Sequence, residues 1–337
     1  MSLACPYPPP YPSRRRSARR RAAPWRWVHR QETPPVREHP FFENNSSTEE
    51  DNRTTRRRKT QKRRDRERAE EVRVETTDNG DRWTTWDQGQ HGPKPFPDWL
   101  VTDLAATDTE LGVLKTGKEA DVHLIERSAP DGRSCLLAAK RYRSNEHRMF
   151  HRDAGYLEGR RVRRSRETRA MANRTTFGRD LMAQQWAAAE FSALATLWSL
   201  GAPVPYPVQL VGTEVQLEFL GHPDGRAADR LEALRPDPDE LVDLWEQLVA
   251  AVVLLAGNGI AHGDLSPFNI VIHHGRLILI DLPQVVDVIA NPQGVNFLDR
   301  DLRVMSEWFA ARGLPADLAD LDALRAVVHS EAGLRPW

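Results

Sequence analysis

The stretch His262-Gly263-Asp264-Leu265-Ser266-Pro267-Phe268-Asn269, with Asp281 twelve positions beyond Asn269, decides how the rest of this 337-residue chain is read. It lies between an apolar helical pattern over residues 241–258 and two short strand patterns, 270–272 and 277–280, joined by His273-His274-Gly275. Asp264 and Asn269 stand five positions apart, the spacing in which an aspartate handles an acceptor hydroxyl while an asparagine grips a metal. Phosphoryl transfer needs such a set. A nucleotide's charge is carried on magnesium, and hard oxygen ligands must hold that ion from one side while the acceptor approaches from the other. The hairpin places Asn269 at its entry and Asp281 at its exit. Each of the three is commonplace alone in a turn or at a strand end, and it is their joint spacing that carries the catalytic reading. His262 is expected to pack beside the loop and orient its backbone rather than transfer a proton.

Upstream, Leu111-Gly112-Val113-Leu114-Lys115-Thr116-Gly117-Lys118-Glu119-Ala120-Asp121-Val122 reads as a strand, a one-glycine turn and a second strand with Val122 and Leu124 on one face. Asp131-Gly132 marks a hairpin, and the next strand, 134–142, carries Lys140 near its end. Residues 180–200 form a helix ended by Gly201 and Pro203, with Leu181, Trp186, Leu194, Leu197 and Trp198 as its apolar positions. Glu190 lies four residues from both Trp186 and Leu194. Its carboxylate therefore sits at the edge of the packing face, where it needs a partner. Strands over 208–211 and 215–220 come next, paired by the Gly212-Thr213-Glu214 turn, and the chain from Asp299 onward is mostly helical, with a break at Gly313-Leu314-Pro315.

Composition bounds the class. The 48 Lys and Arg balance 48 Asp and Glu, which excludes a uniformly basic nucleic-acid binder, yet roughly twenty basic against eleven acidic side chains fall in the first 75 residues. Residues 1–95 hold Pro8-Pro9-Pro10, Arg14-Arg15-Arg16 and Arg56-Arg57-Arg58-Lys59 with almost no aliphatic periodicity, and are expected to be a disordered basic, proline-rich tail. A second basic stretch, 144–179, reads as a mobile insertion. Cys5 and Cys135 cannot form a disulfide framework and sit in no CxxC cluster, which suits a reducing cytoplasm. No run approaches the ~18 apolar residues of a membrane helix, so no membrane partner is expected.

The chain resembles the protein-kinase-like superfamily and, within it, the RIO-type atypical serine/threonine protein kinases, as a bacterial-like member. Thr116-Gly117-Lys118-Glu119-Ala120-Asp121-Val122 is similar to that family's replacement for the glycine-rich loop, residues 262–269 to its catalytic loop, and Asp281-Leu282-Pro283-Gln284-Val285-Val286-Asp287 to its metal-binding segment. The resemblance covers about residues 96–315. It implies an α+β, two-lobed kinase fold, with an N-lobe over 96–221, a compact C-lobe over 222–337, and ATP with Mg2+ or Mn2+. By the same resemblance Asp264 is the base, Lys140 contacts the α- and β-phosphates and Glu190 orients it. Asn269 and Asp281 hold metal. Thr116, Gly117, Lys118 and Val122 cover the nucleotide, the Thr116 hydroxyl and Lys118 ammonium making up for the missing glycines by direct contact. Leu217-Glu218-Phe219-Leu220-Gly221 resembles the hinge, where the Glu218 carbonyl and Leu220 N–H would meet adenine. Gly263 stands where ordinary protein kinases have arginine, which removes the side chain that answers to activation-loop phosphorylation.

The expected activity is transfer of the ATP γ-phosphate to a protein serine or threonine, the chain itself included as a substrate. Two other readings stay open: an ATPase-type nucleotide switch that binds RNA or a ribosomal particle through the basic tail and insertion, and an antibiotic-type small-molecule phosphotransferase. Against the last stand the Thr-Gly-Lys-Glu-Ala loop, Pro283-Gln284 and a short C-terminal lobe with little protein for an acceptor pocket.

Overall fold

The computed structural model describes residues 81–117, 119–143, 176–282 and 285–334, with the helix backbone alone at 176–181. Its first layer is an antiparallel sheet of β1 (Arg82–Trp83), β2 (Gln90–His91), β3 (Thr107–Thr116), β4 (Ala120–Ser128), β5 (Ser134–Tyr142), β6 (Pro207–Val211) and β7 (Glu214–Glu218), in the order β1-β3-β4-β5-β7-β6-β2. Opposed residues of antiparallel strands share a face, and successive residues alternate. Lys115 opposes Val122, Val122 opposes Lys140 and Lys140 opposes Val215, so this row points to one side. Ile125, Leu137, Cys135 and Ala139 point to the other.

That second face is covered by the segment leading into β3. Trp86, Leu100, Val101 and Ala106 are buried against Ile125, Leu137, Ala139, Tyr206 and Val208. The Trp86 ring stacks on His91 at 3.9 Å. The expected tail thus ends earlier than residue 95: residues 81–95 supply both edge strands of the sheet and part of its core. The physical reason is that a few large aromatics, Trp86 above all, bury enough surface to order a stretch that lacks aliphatic periodicity. Residues 1–80 and 144–175 lie outside the described residues, as do Lys118 and Pro283-Gln284.

Helix α1 (Thr176–Ser199) packs on the first face, where Ala183, Ala187 and Phe191 meet Ala120, Tyr142 and Val215. Its last turns, through Leu194 and Leu197, join a second core. There α2 (Pro238–Gly257) is the centre. Asp237 accepts the Glu240 N–H at 2.9 Å and Pro238 fills the first helical position, so the helix begins three residues before the apolar pattern does. Its stripe Leu241, Leu244, Trp245, Leu248, Val252 and Leu255 is buried against Leu298, Leu302, Met305 and Phe309 of α3 (Gly294–Ala310) and Val328 of α4 (Leu321–Glu331). Burying one such leucine stabilises by about 2 kcal/mol.

Four short strands complete this lobe. β8 (Ile260–Ala261) pairs with β11 (Val286–Asp287), and β9 (Ile270–His273) with β10 (Arg276–Leu279). The β9–β10 turn needs two residues at positive φ, which His274 (51°) and Gly275 (72°) provide. A hairpin is thereby fixed between Asn269 and Asp281. The architecture is α+β in two lobes, with residues 219–230 running between them; Arg230 bridges to Val271 and so ties that segment to the hairpin.

Candidate active site

Lys140, on the face of β5 that looks toward α1, donates from Nζ to Glu190 Oε1 at 2.6 Å and to Asp281 Oδ1 at 2.8 Å. One ammonium thus joins the sheet, α1 and the strand exit of the other lobe. Burial alone would draw the Lys140 ammonium down; the charges of Glu190 and Asp281 outweigh it and hold the group well above the usual lysine range. Glu190 is 1% exposed. Its other oxygen accepts the Tyr142 hydroxyl, and burial together with the Glu190 charge pushes that phenol far up, so it remains a donor. Tyr142 was not singled out from the sequence, although its place two residues beyond Lys140 on one strand puts both on the same face.

In the second lobe the catalytic-loop pattern is held by α3. Asp301, 2% exposed, accepts the Gly263 N–H through Oδ2 at 2.8 Å and the Leu265 N–H through Oδ1 at 3.0 Å. The two amides flanking Asp264 are therefore fixed from below. Burial pushes the Asp301 carboxyl up to about 6 against the pull of those donors. The sequence carried a signal for it: Asp301 lies three residues after Leu298 and four before Met305, a carboxylate on an apolar helix face, as Glu190 is.

Asp264 itself is half-exposed. Its Oδ1 accepts from Arg300 Nη2 at 3.1 Å while Arg300 Nη1 donates to the Gly263 carbonyl at 3.1 Å. A guanidinium thus reaches this loop from α3, although Gly263 carries none. Asn269 donates from Nδ2 to the Asp264 carbonyl at 2.9 Å, and its own carbonyl accepts the Ile280 N–H at 2.9 Å, which sets it beside Asp281. His262 donates from Nε2 to the Ile280 carbonyl at 3.2 Å and accepts the Asp264 N–H on Nδ1 at 3.4 Å. Both bonds fit the neutral ring, which burial favours by drawing its pKa down.

Asp281 adopts φ 63°, a left-handed conformation that costs on the order of 1 kcal/mol in a non-glycine residue and aims the carboxylate out of the β10 line. Burial would raise its pKa; the Lys140 charge and hydrogen bond, and the lesser charge of Lys115, bring it below the usual aspartate range. Among the described residues no three His, Cys, Asp or Glu side chains cluster as metal ligands. A magnesium site of the nucleotide type does not require them, since the ion keeps waters and phosphate oxygens and takes one or two protein oxygens. With Nδ2 tied to Asp264, the Asn269 side chain keeps Oδ1 as its acceptor, and with Oδ1 of Asp281 on Lys140, Oδ2 remains. Both are hard oxygens of the kind such an ion takes.

At the hinge, the Leu220 carbonyl accepts the Ala228 N–H at 2.9 Å, and among the described residues the Leu220 N–H has no backbone partner. The Glu218 carboxyl accepts the Tyr206 N–H at 3.0 Å, and burial pushes it up to about 7. Gly225, at φ 86°, passes so close to Leu124 that a Cβ would come within 2.9 Å of its methyl. Val122 lies on the Lys140 face, between the two lysines of the row.

One expectation for the loop needs correcting. Thr116 opposes Asp121, on the face away from Lys140, and its hydroxyl hydrogen-bonds to the Asp121 carboxylate, which also pairs with Arg143. The residue on the Lys140 face is Lys115. The two register shifts in β3, between Glu110 and Gly112 and between Val113 and Lys115, cancel, so alternation carried forward from Glu110 gives the same faces. Gly117 turns the chain, its N–H bonding to the Ala120 carbonyl at 2.9 Å. Lys118 is outside the described residues.

A sheet with one packed helix over a helical lobe, joined by a single segment and meeting at a Lys–Glu pair and an Asp-plus-Asn loop, defines the protein-kinase-like class. The RIO domain family model matches residues 136–322, more than half of the chain, and the chain belongs to that family. A RIO-type serine/threonine-protein kinase Rio1 of Haloferax volcanii is 32% identical over 209 residues, 61% of this chain and 65% of that protein. The serine/threonine-protein kinase RIO1 of Chaetomium thermophilum is 29% identical over 212 residues, covering 60% and 40%. The human serine/threonine-protein kinase RIO3 is 30% identical over 145 residues, 43% of this chain and 28% of its own length. The chain therefore spans less than two thirds of these curated relatives. Among solved structures, the Rio2 kinase of Chaetomium thermophilum in an ADP/Mg2+-phosphoaspartate complex matches at 21% identity and a TM-score of 0.44, covering 67% of this chain and 73% of that one. No helix among the described residues is long and apolar enough to cross a membrane.

Proposed function

We propose that this chain is an ATP-dependent protein kinase that transfers the γ-phosphate of ATP to a serine or threonine hydroxyl of a protein, itself included. The observation that carries the reading is the Lys140 ammonium held between Glu190 at 2.6 Å and Asp281 at 2.8 Å, with Asn269 and Asp264 on the adjoining loop. The curated relatives named as serine/threonine-protein kinases support it.

In this reading Lys140 moves from Asp281 toward the α- and β-phosphates as nucleotide enters, and Glu190, fixed by Tyr142, keeps its direction. Release of Asp281 from the ammonium makes both its oxygens available. Bound Mg2+ or Mn2+, held by Asn269 and Asp281, supplies charge neutralisation for the triphosphate. Asp264 exchanges its Arg300 contact for the acceptor hydroxyl, aligns it and takes its proton, and the Asp301 cradle keeps the loop still meanwhile. Gly117 and Val122 close over the nucleotide, with Lys118 as a further contact, and the Glu218 carbonyl and Leu220 N–H meet adenine. The free buried thiol of Cys135 suits a reducing compartment, and we place the protein in the cytoplasm.

Labelled γ-phosphate tests the reading. Asp264→Ala should cut transfer to protein hydroxyls by about 10²-fold or more while sparing ATP binding. Full turnover by that variant sinks the base assignment. Release of free phosphate with a hydroxylamine-labile enzyme adduct makes the chain an ATPase switch instead, with RNA or a ribosomal particle as the partner to seek, and transfer to an aminoglycoside makes it a small-molecule phosphotransferase.

A further inference from the structure

The row that carries Lys140 carries a second cation. Lys115 opposes Val122, and Val122 opposes Lys140, so the two ammonium groups leave the same face of the sheet on either side of one valine. Lys140 is engaged by Glu190 and Asp281. Lys115 is exposed, and among the described residues its ammonium makes no hydrogen bond or ion pair. The charged groups facing it from the other elements are Asp281 at the exit of β10, Lys140 on β5 and Arg230 from the segment between the lobes. Arg230 is fixed from below: its Nη1 donates to the Phe268 carbonyl at 2.9 Å, next to Asn269 on the loop that carries Asp264.

Two like charges, one from the sheet and one from the connecting segment, thus lie within electrostatic reach of each other, with Asp281 as the anion facing Lys115. Partial burial and the Arg230 charge draw the Lys115 ammonium below its ordinary range, while Asp281 pulls it back. Left without an anion, such an arrangement is repulsive; an anion placed between the two cations relieves it. On entry of nucleotide, Asp281 turns to the metal in the kinase reading, and this raises the need further.

We propose that Lys115 and Arg230 form a clamp, one jaw from the sheet and one from the segment that joins the lobes, that grips the terminal phosphate of the bound nucleotide and so distinguishes a triphosphate from a diphosphate. The inference rests on the kinase reading of the same cleft. A phosphate attached to the nucleotide fits better than an acidic peptide because Lys115 lies in one row with Lys140 and beside Asp281, inside the line of the nucleotide rather than beyond it. Charge-assisted contacts of this kind are strong only where both partners are held in place, as the strand holds Lys115 and the Phe268 carbonyl holds Arg230.

Calorimetry of the full chain with Mg2+ reads the clamp without turnover, using a β,γ-imido triphosphate analogue of ATP and ADP as probes. Lys115→Met should lower the ratio of triphosphate to diphosphate affinity by about tenfold, with ADP affinity changed by less than about twofold, and Lys115→Arg should restore most of the ratio. Arg230→Gln should act in the same direction. Equal weakening toward both nucleotides, or an unchanged ratio, overturns the clamp while leaving the kinase reading intact. An unchanged ratio with loss of transfer only to acidic peptides gives the two cations to the acceptor instead and overturns it as well. Failure of the unaltered chain to bind either nucleotide brings down both.

Discussion

The two lobes each bury one carboxylate on the apolar face of a helix and satisfy it in opposite ways. Glu190 of α1 faces an ammonium and a phenol, both side chains on β5. Asp301 of α3 faces two backbone amides of a single loop. The contrast shows what each lobe is asked to do. A charge pair across a gap can be remade when an anion arrives, since its partner Lys140 is shared with Asp281. Amides in a loop have nowhere else to go, and their acceptor acts as a fixed mould.

Removing the mould should have the largest effect. Asp301→Ala leaves two buried N–H groups without acceptors and is expected to cost about 3 kcal/mol in stability together with a fall in turnover of roughly 10³-fold. Denaturant melts and labelled-phosphate assays on the same sample check this, and near-native stability would erase the distinction between the lobes. Glu190→Gln keeps an acceptor for Tyr142 and leaves Asp281 on Lys140. Turnover should drop about 10²-fold, with stability changed by only about 1 kcal/mol. If the two variants lose stability equally, the charge pair is as structural as the mould.

A third carboxyl sharpens the series. Among the described residues the Glu218 carboxyl has one amide partner, from Tyr206, and no cation, and burial carries it to about 7 from an ordinary value of 4.5. Because the folded value lies above the unfolded one, its stabilising proton is fully present below about pH 4.5 and is lost as pH rises through about 7. Glu218→Gln keeps an acceptor for the amide and removes the titration. The variant should match the unaltered chain near pH 4.5 and exceed it by about 2 kcal/mol near pH 8 in denaturant melts. Parallel stability curves across that window would show that the carboxyl does not titrate as described.

The sequence disclosed those parts of the site that are local. Asp264, Asn269 and Asp281 are readable because a tight loop and one hairpin fix their separation, and Glu190 because a charged residue between Trp186 and Leu194 contradicts its surroundings. The same test applied to α3 would have exposed Asp301. Lys115 and Thr116 were not separable in this way. Alternation alone puts them on opposite faces, and which of the two looks toward Lys140 is fixed only by the register with β4. Arg300, exposed, and Arg230, half-buried, are cations in polar stretches, with no pattern to mark them. The ordering of residues 81–95 was hidden for a similar reason: single aromatics carry it, and period-based reading weighs runs rather than individuals.

Both margins of the large sheet come from that same short run, Arg82–Trp83 beside β3 and Gln90–His91 beside β6. A domain trimmed to begin at Phe96, as the sequence pattern invites, would keep every candidate site residue yet bare two rows of unpaired amides and carbonyls. Such rims recruit strands from neighbouring molecules, so the first casualty of the shorter chain would be its solubility rather than its chemistry.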